Sequence, residues 1–72
     1  MIIRKNDEFI NENNELVRVN SKHFDRDYTV SIFKYNEDTE EYDIWDRDTI
    51  YTGGEICGLA GAKYIVWNDE EK

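Results

Sequence analysis

The chain predicts a mainly β domain, a small antiparallel sheet of about five short strands, with either one short helix or a bulged strand near residues 55–62. An α+β arrangement, with that helix packed across the sheet, is the alternative. The leading observation is the stretch from Tyr28 to Trp45, YTVSIFKYNEDTEEYDIW. Tyr28, Val30 and Ile32 alternate with Thr29, Ser31 and Phe33; Asn36 to Glu40 supplies turn formers and charge; Tyr42 and Ile44 alternate with Asp43 and Trp45. Period-2 alternation of β-branched and aromatic residues on both sides of a polar turn is a hairpin signal. The second observation is the aromatic content, 14% of 72 residues, which provides large side chains for a core and argues against a disordered acidic tail. The third is Gly53-Gly54, which ends the strand-like part of the chain ahead of a stretch with helical spacing.

Taken in order, Met1 to Lys5 opens with Ile2 and Ile3 as a short edge strand. Phe9 and Ile10 form a second strand, and Leu16 to Val19 a third that pairs with it, because Asn11 to Asn14 between them has turn chemistry. Ser21 to Asp27 is a polar connection whose Phe24 packs back. The central hairpin follows. Asp46-Arg47-Asp48 reads as a tight polar link into a short strand, Thr49 to Thr52, which Gly53-Gly54 breaks. For Glu55 to Ala62 two readings stand. Ile56, Leu59, Ala60 and Lys63 fall at helical spacing, whereas Gly58 and Gly61 each cost about 1 kcal/mol in a helix interior and suit a bulged strand. Tyr64 to Trp67 is a strand, and Asn68 to Lys72 a solvated tail. A single domain over residues 1–72 is expected, since a chain of this length buries only about 60% of the surface its unfolded form exposes.

The net charge is −8, and it is lopsided. Residues 1–26 hold five bases and five acids, so the excess lies downstream, most densely from Glu37 to Asp48, where seven acids face only Arg47. Such a field repels polyanions and anionic membranes and steers a basic partner in. No apolar run approaches a membrane span or a signal peptide, and the lone Cys57 leaves no internal disulfide, so a reducing, cytoplasmic setting is expected.

Catalytic, cofactor and metal chemistry find little footing. Cys57 and His23 are the one thiol and the one imidazole, which is enough to begin covalent catalysis. However, Cys57 sits among Ile56 and Leu59 as a small apolar residue, and His23 lies in a polar connection with no orienting third group. With one of each, no four-ligand zinc site is possible. The stretch from Gly53 to Lys63 has the glycines of a phosphate-cradling loop but neither established spacing: Ala62 precedes Lys63, Tyr64 follows it, and the chain is too short for a dinucleotide-binding unit. The acids from Glu37 to Asp48 lack the fixed offsets of a calcium loop, and a domain this small has little room for the cleft that paired catalytic carboxylates require. No enzyme activity, cofactor or metal is expected.

What remains is an acidic face with aromatics interleaved: Tyr35, Glu37, Asp38, Glu40, Glu41, Tyr42, Asp43, Trp45, Asp46 and Asp48. Solubility and protection of strand edges account for acids, but aromatics anchor interfaces and do not aid solubility. Carboxylates on alternate strand residues stand about 7 Å apart, near the phosphate repeat along one nucleic-acid strand. The expected function is therefore a non-enzymatic binding protein that engages a basic protein surface, in its sharpest form a nucleic-acid mimic that inhibits a nucleic-acid-binding enzyme. The alternative is an assembly module that self-associates, as a homodimer for instance, through a strand edge and the apolar Gly58 to Trp67 region, its acids serving only solubility. No family motif is present. In general character a short, acidic, aromatic-rich chain without a catalytic set is similar to small phage or mobile-element proteins that inhibit host nucleic-acid machinery; the likeness is one of type and covers no particular residues.

Overall fold

A computed structural model of the chain describes residues 1–23 and 26–68; the expected packing of Phe24 and the tail beyond Asn68 lie outside them. The fold is mainly β with one short helix. The elements are β1 (Ile2–Ile3), β2 (Glu8–Ile10), β3 (Leu16–Lys22), β4 (Asp27–Asn36), β5 (Glu41–Thr52), α1 (Gly53–Ala60) and β6 (Val66–Trp67). The strands β2-β3-β4-β5 form an antiparallel meander, and β1 pairs with β6 in a separate parallel ladder. Among the described residues no helix is long and apolar enough to cross a membrane.

The core follows from the alternation. Tyr28, Val30 and Ile32 of β4 face Val17 and Val19 of β3, and Ile3 and Ile56 close over them from β1 and α1. Phe9, Tyr51, Leu59, Ile65 and Trp67 pack around this cluster. The helix touches both outer strands, β2 and β5, so the sheet curls around its core. Extra residues in β3, at Asn20, and in β5 permit the curl, because a bulge adds bend and twist to its strand.

Both hairpins form where the turn chemistry places them. In the first, the Asn11 side-chain oxygen accepts the N–H groups of Asn13 and Glu15, each at 2.9 Å, and Asn14 takes a left-handed φ of 63°. In the central one, the Asn36 side chain accepts the Asp38 N–H at 2.9 Å and its carbonyl accepts the Glu40 N–H at 2.7 Å.

Several boundaries differ from the sequence expectation. The link between β3 and β4 is shorter than Ser21 to Asp27, since both strands run into it and the His23 N–H donates to the Asp27 carbonyl at 2.7 Å. Asp46-Arg47-Asp48 is no link: it lies inside a continuous β5. The Asp48 N–H does bond the Asp46 carboxylate at 3.0 Å, as in a turn, but the chain only bulges there. The Arg47 carbonyl accepts from the Ser31 hydroxyl and the Asn20 amide, each at 3.0 Å, so side chains from β3 and β4 hold β5 to the sheet.

The segment after Gly53-Gly54 is helical from Gly53 itself. Thr52 and Glu55 form a reciprocal capping box, and Gly61, at φ 67°, stops the helix in the left-handed region. The gain of one cap, typically about 1 kcal/mol, together with a glycine stop, outweighs the cost of an internal Gly58. The final strand is limited to Val66–Trp67, paired with Ile2–Ile3. Tyr64 and Ile65 lie before it, and the Tyr64 carbonyl accepts the N-terminal ammonium at 3.2 Å.

Candidate functional site

The ribbon of β4 and β5 runs along the molecule. Twelve residues in β5, at about 3.3 Å each, match the long dimension of 38 Å. Core burial stops at Ile32, and β3 begins only at Leu16, opposite Phe33. Past that point the pairs Lys34–Asp43, Tyr35–Tyr42 and Asn36–Glu41 and the loop 37–40 project as a two-stranded ribbon with solvent on both sides.

Register divides the ten expected site residues between two faces and a loop. Successive residues point to opposite faces, and paired residues share one. Lys34, Asp43, Asn36 and Glu41 therefore lie on the face that carries the core further down. Here the Lys34 ammonium stands 3.7 Å from the Trp45 ring centroid and 3.8 Å from the Glu15 carboxylate, and the Asn36 amide donates to Asp43 at 3.0 Å. Trp45 is 66% exposed, so its free surface is available to a partner. Tyr35 and Tyr42 share the outer face, edge to face with centroids 5.3 Å apart. Glu37, Asp38 and Glu40 occupy the loop, and Asp46 and Asp48 the bulge. The acids and aromatics thus interleave only in part: Trp45 shares a face with Asp43 and Glu41, whereas the two tyrosines stand back to back with them.

The carboxylates themselves are uncompensated. The two ion pairs among the described residues, Arg18 with Glu8 at 3.0 Å and Lys34 with Glu15, use no acid between 37 and 48. Glu40 takes a φ of 59°, a conformation that disfavours any residue with a β-carbon except Asn and Asp.

Residues outside the expected set complete the outer face. Ile10 pairs with Leu16, Leu16 with Phe33 and Phe33 with Ile44, an apolar row across all four strands. Arg18 stacks over Phe33, 4.7 Å from its centroid. The parity that puts Phe33 and Ile44 in line with the tyrosines is visible in the sequence; that no element covers this face is not.

Cys57 lies half-buried on α1 and His23 in the exposed β3–β4 link. No group of three or more His, Cys, Asp or Glu among the described residues is disposed to hold a metal ion. No family model, curated protein or solved structure matches the chain.

Proposed function

We propose that the protein is a non-enzymatic binding module whose acidic ribbon engages a basic protein surface. The observation that carries this reading is a set of carboxylates beyond the core, Glu41 and Asp43 on the hydrogen-bonded ribbon and Glu37, Asp38 and Glu40 in the loop that closes it, with no ion pair to any described residue. Acids needed only for solubility gain nothing from being held on a hydrogen-bonded hairpin, whereas a docking surface does, because preorganised charge loses less entropy on binding. Glu41 and Asp43, at alternate positions on one face, have the spacing of successive phosphates, which supports the sharper reading, a mimic that occupies a nucleic-acid groove.

The test is capture from lysate on the immobilised protein, alongside the variant E37Q/D38N/E40Q/E41Q/D43N. Basic nucleic-acid-binding proteins are expected on the wild type at low salt, released by raised salt and by duplex DNA, and absent from the variant. Equal retention by both proteins, or retention indifferent to salt, would overturn the reading.

The outer apolar row favours a second reading, self-association, with β5 also an open edge along its length. Sedimentation over a concentration series decides it: two acidic copies should associate more strongly as salt rises, since screening relieves their repulsion.

A further inference from the structure

A different pole of the molecule gathers its bases. Where β3 ends, where β4 begins and where the chain leaves α1, Lys22, Arg26 and Lys63 line one cleft of about 420 Å³. They are three of the nine Lys and Arg residues, no carboxylate among the described residues lines the cleft with them, and neither ion pair of the described residues involves any of the three.

The floor of this cleft is the first turn of α1. A β-carbon on Gly53 would stand 3.2 Å from the Arg26 carbonyl, so glycine there lets the helix start close against the Arg26 backbone. The capping box uses the N–H groups of Glu55 and Thr52, and the register of the Asp27–Thr52 pair turns the Gly53 N–H to the Arg26 carbonyl, so the open first-turn donor is the Gly54 N–H, which precedes any intrahelical acceptor. The helix dipole places partial positive charge at the same point.

Tyr28 supplies an independent pointer. Its side chain is 4% exposed, packed against Trp67 with centroids 5.9 Å apart, and its ring reaches within 4.0 Å of the position a Gly53 β-carbon would take. It lines the cleft, yet its hydroxyl has no hydrogen-bond partner among the described residues. No side-chain oxygen or nitrogen among the described residues is both buried and unpartnered, so this hydroxyl keeps access to solvent and its proton is open to an acceptor. Burial and the adjacent Cys57 push its pKa up, so it stays protonated and keeps a proton to donate.

We propose that this cleft binds a phosphate monoester. The Lys22, Arg26 and Lys63 side chains, the Gly54 amide and the Tyr28 hydroxyl all belong to residues that line this one cleft, and together they offer the donors that a tetrahedral dianion takes. Tyr64, 68% exposed, lines the same cleft and offers a stacking face to a base, so the cleft suits a mononucleotide. The glycine stretch rejected on spacing thus reaches the same chemistry by another route: Lys63 returns to Gly53-Gly54 through the helix stop at Gly61, with no P-loop.

The experiment is a ¹H–¹⁵N titration of the whole protein with inorganic phosphate, adenosine 5′-monophosphate and adenosine, each at ionic strength matched with sodium chloride. Saturable shifts are expected at Gly53, Gly54 and Cys57 with the first two ligands. K63Q, R26Q and Y28F should each weaken binding, the charge changes by at least about threefold, and K34Q, at the far end of the hairpin, should leave it unchanged. A nucleotide that binds more tightly than phosphate, with adenosine silent, identifies the ester; equal affinities identify the free anion as ligand of the same donors. Shifts that fail to saturate, or that survive unchanged in K63Q and R26Q with their spectra otherwise native, overturn the proposal.

Discussion

Glu40 closes the acidic loop at a φ of 59°, where its β-carbon crowds the following carbonyl at a cost of about 1–2 kcal/mol. Asn6 and Asn14, at 75° and 63°, are of the type that tolerates this region; glutamate is not. Replacing Glu40 with glycine relieves the clash, and the greater freedom of glycine in the unfolded chain gives back roughly 0.5–1 kcal/mol. The net expectation for E40G is a gain of about 0.5–1 kcal/mol, or a Tm rise of roughly 2–8 °C in a domain this small. E40A is the control. It removes the same charge from beside Glu37, Asp38 and Glu41 but keeps a β-carbon, so it reports relief of repulsion without relief of strain. Urea midpoints are measured for all three proteins at low and high salt, where screening removes the charge contribution. E40G should exceed E40A at both; coincident midpoints would refute the strain account. If the ribbon is a docking surface, E40G should also bind its basic target less tightly while being more stable, the opposed signs expected of a residue retained for binding at a cost in stability.

Further outcomes follow from the core and the bulge. Ile56 is fully buried between α1 and the sheet, so I56A should lose about 2–5 kcal/mol, read as a large drop in the urea midpoint. S31A removes the hydroxyl that bridges Asn20 and the Arg47 carbonyl; a loss of about 1–2 kcal/mol and faster amide exchange around Asp46 to Thr49 are expected, and unchanged exchange would mean that the bulge is held some other way. Tyr28 has a pKa raised above its ordinary 10.0, chiefly by burial and then by Cys57. Its contribution is therefore full below pH 10 and lost as pH climbs through the folded value, because the unfolded chain releases this proton first. Urea midpoints between pH 9 and 11.5 should fall less steeply for Y28F than for the wild type.

Much of the fold was legible because two periods and two turns that each open on an asparagine specify it. Tyr28, Val30 and Ile32 show their buried face in the sequence, and Asn11 and Asn36 sit where their side chains close turns. The helix was legible only as an alternative to a bulged strand, because the signal that decides it lay in Thr52 and Glu55, a T-x-x-E capping box overshadowed by the glycines between and after them; Gly61 is a stop, not a defect. Asp46-Arg47-Asp48 misled because its local turn bond is real, while what keeps the strand going comes from Asn20 and Ser31, distant in sequence. The acidic stretch was legible as composition and not as geometry. A strand alternates, so a stretch that alternates acids with aromatics must send them to opposite faces, as Tyr42 and Asp43 demonstrate. The gathering of Lys22, Arg26 and Lys63 had no local signal at all, since three separate turns of the chain build it.

The two charged regions stand at opposite ends of one hairpin, and its length sets how far they influence each other. Lys22 pairs with Tyr28 at the base, Asn36 with Glu41 at the tip, and the residues between span roughly 25–30 Å at the rise of a β-strand. The Debye length at physiological ionic strength is about 8 Å, so direct interaction between the poles is almost entirely screened. A net charge of −8 therefore misdescribes what a ligand meets: a cation approaching the tip and an anion approaching the base each see an attractive local field. The consequence is independence. K63Q should leave capture by the ribbon unchanged, and neutralising the ribbon should leave phosphate binding unchanged at physiological salt. Coupling between the two would have to travel as a change in the ladder itself, through the Asn20–Ser31–Arg47 contact at its middle, and S31A would then abolish it.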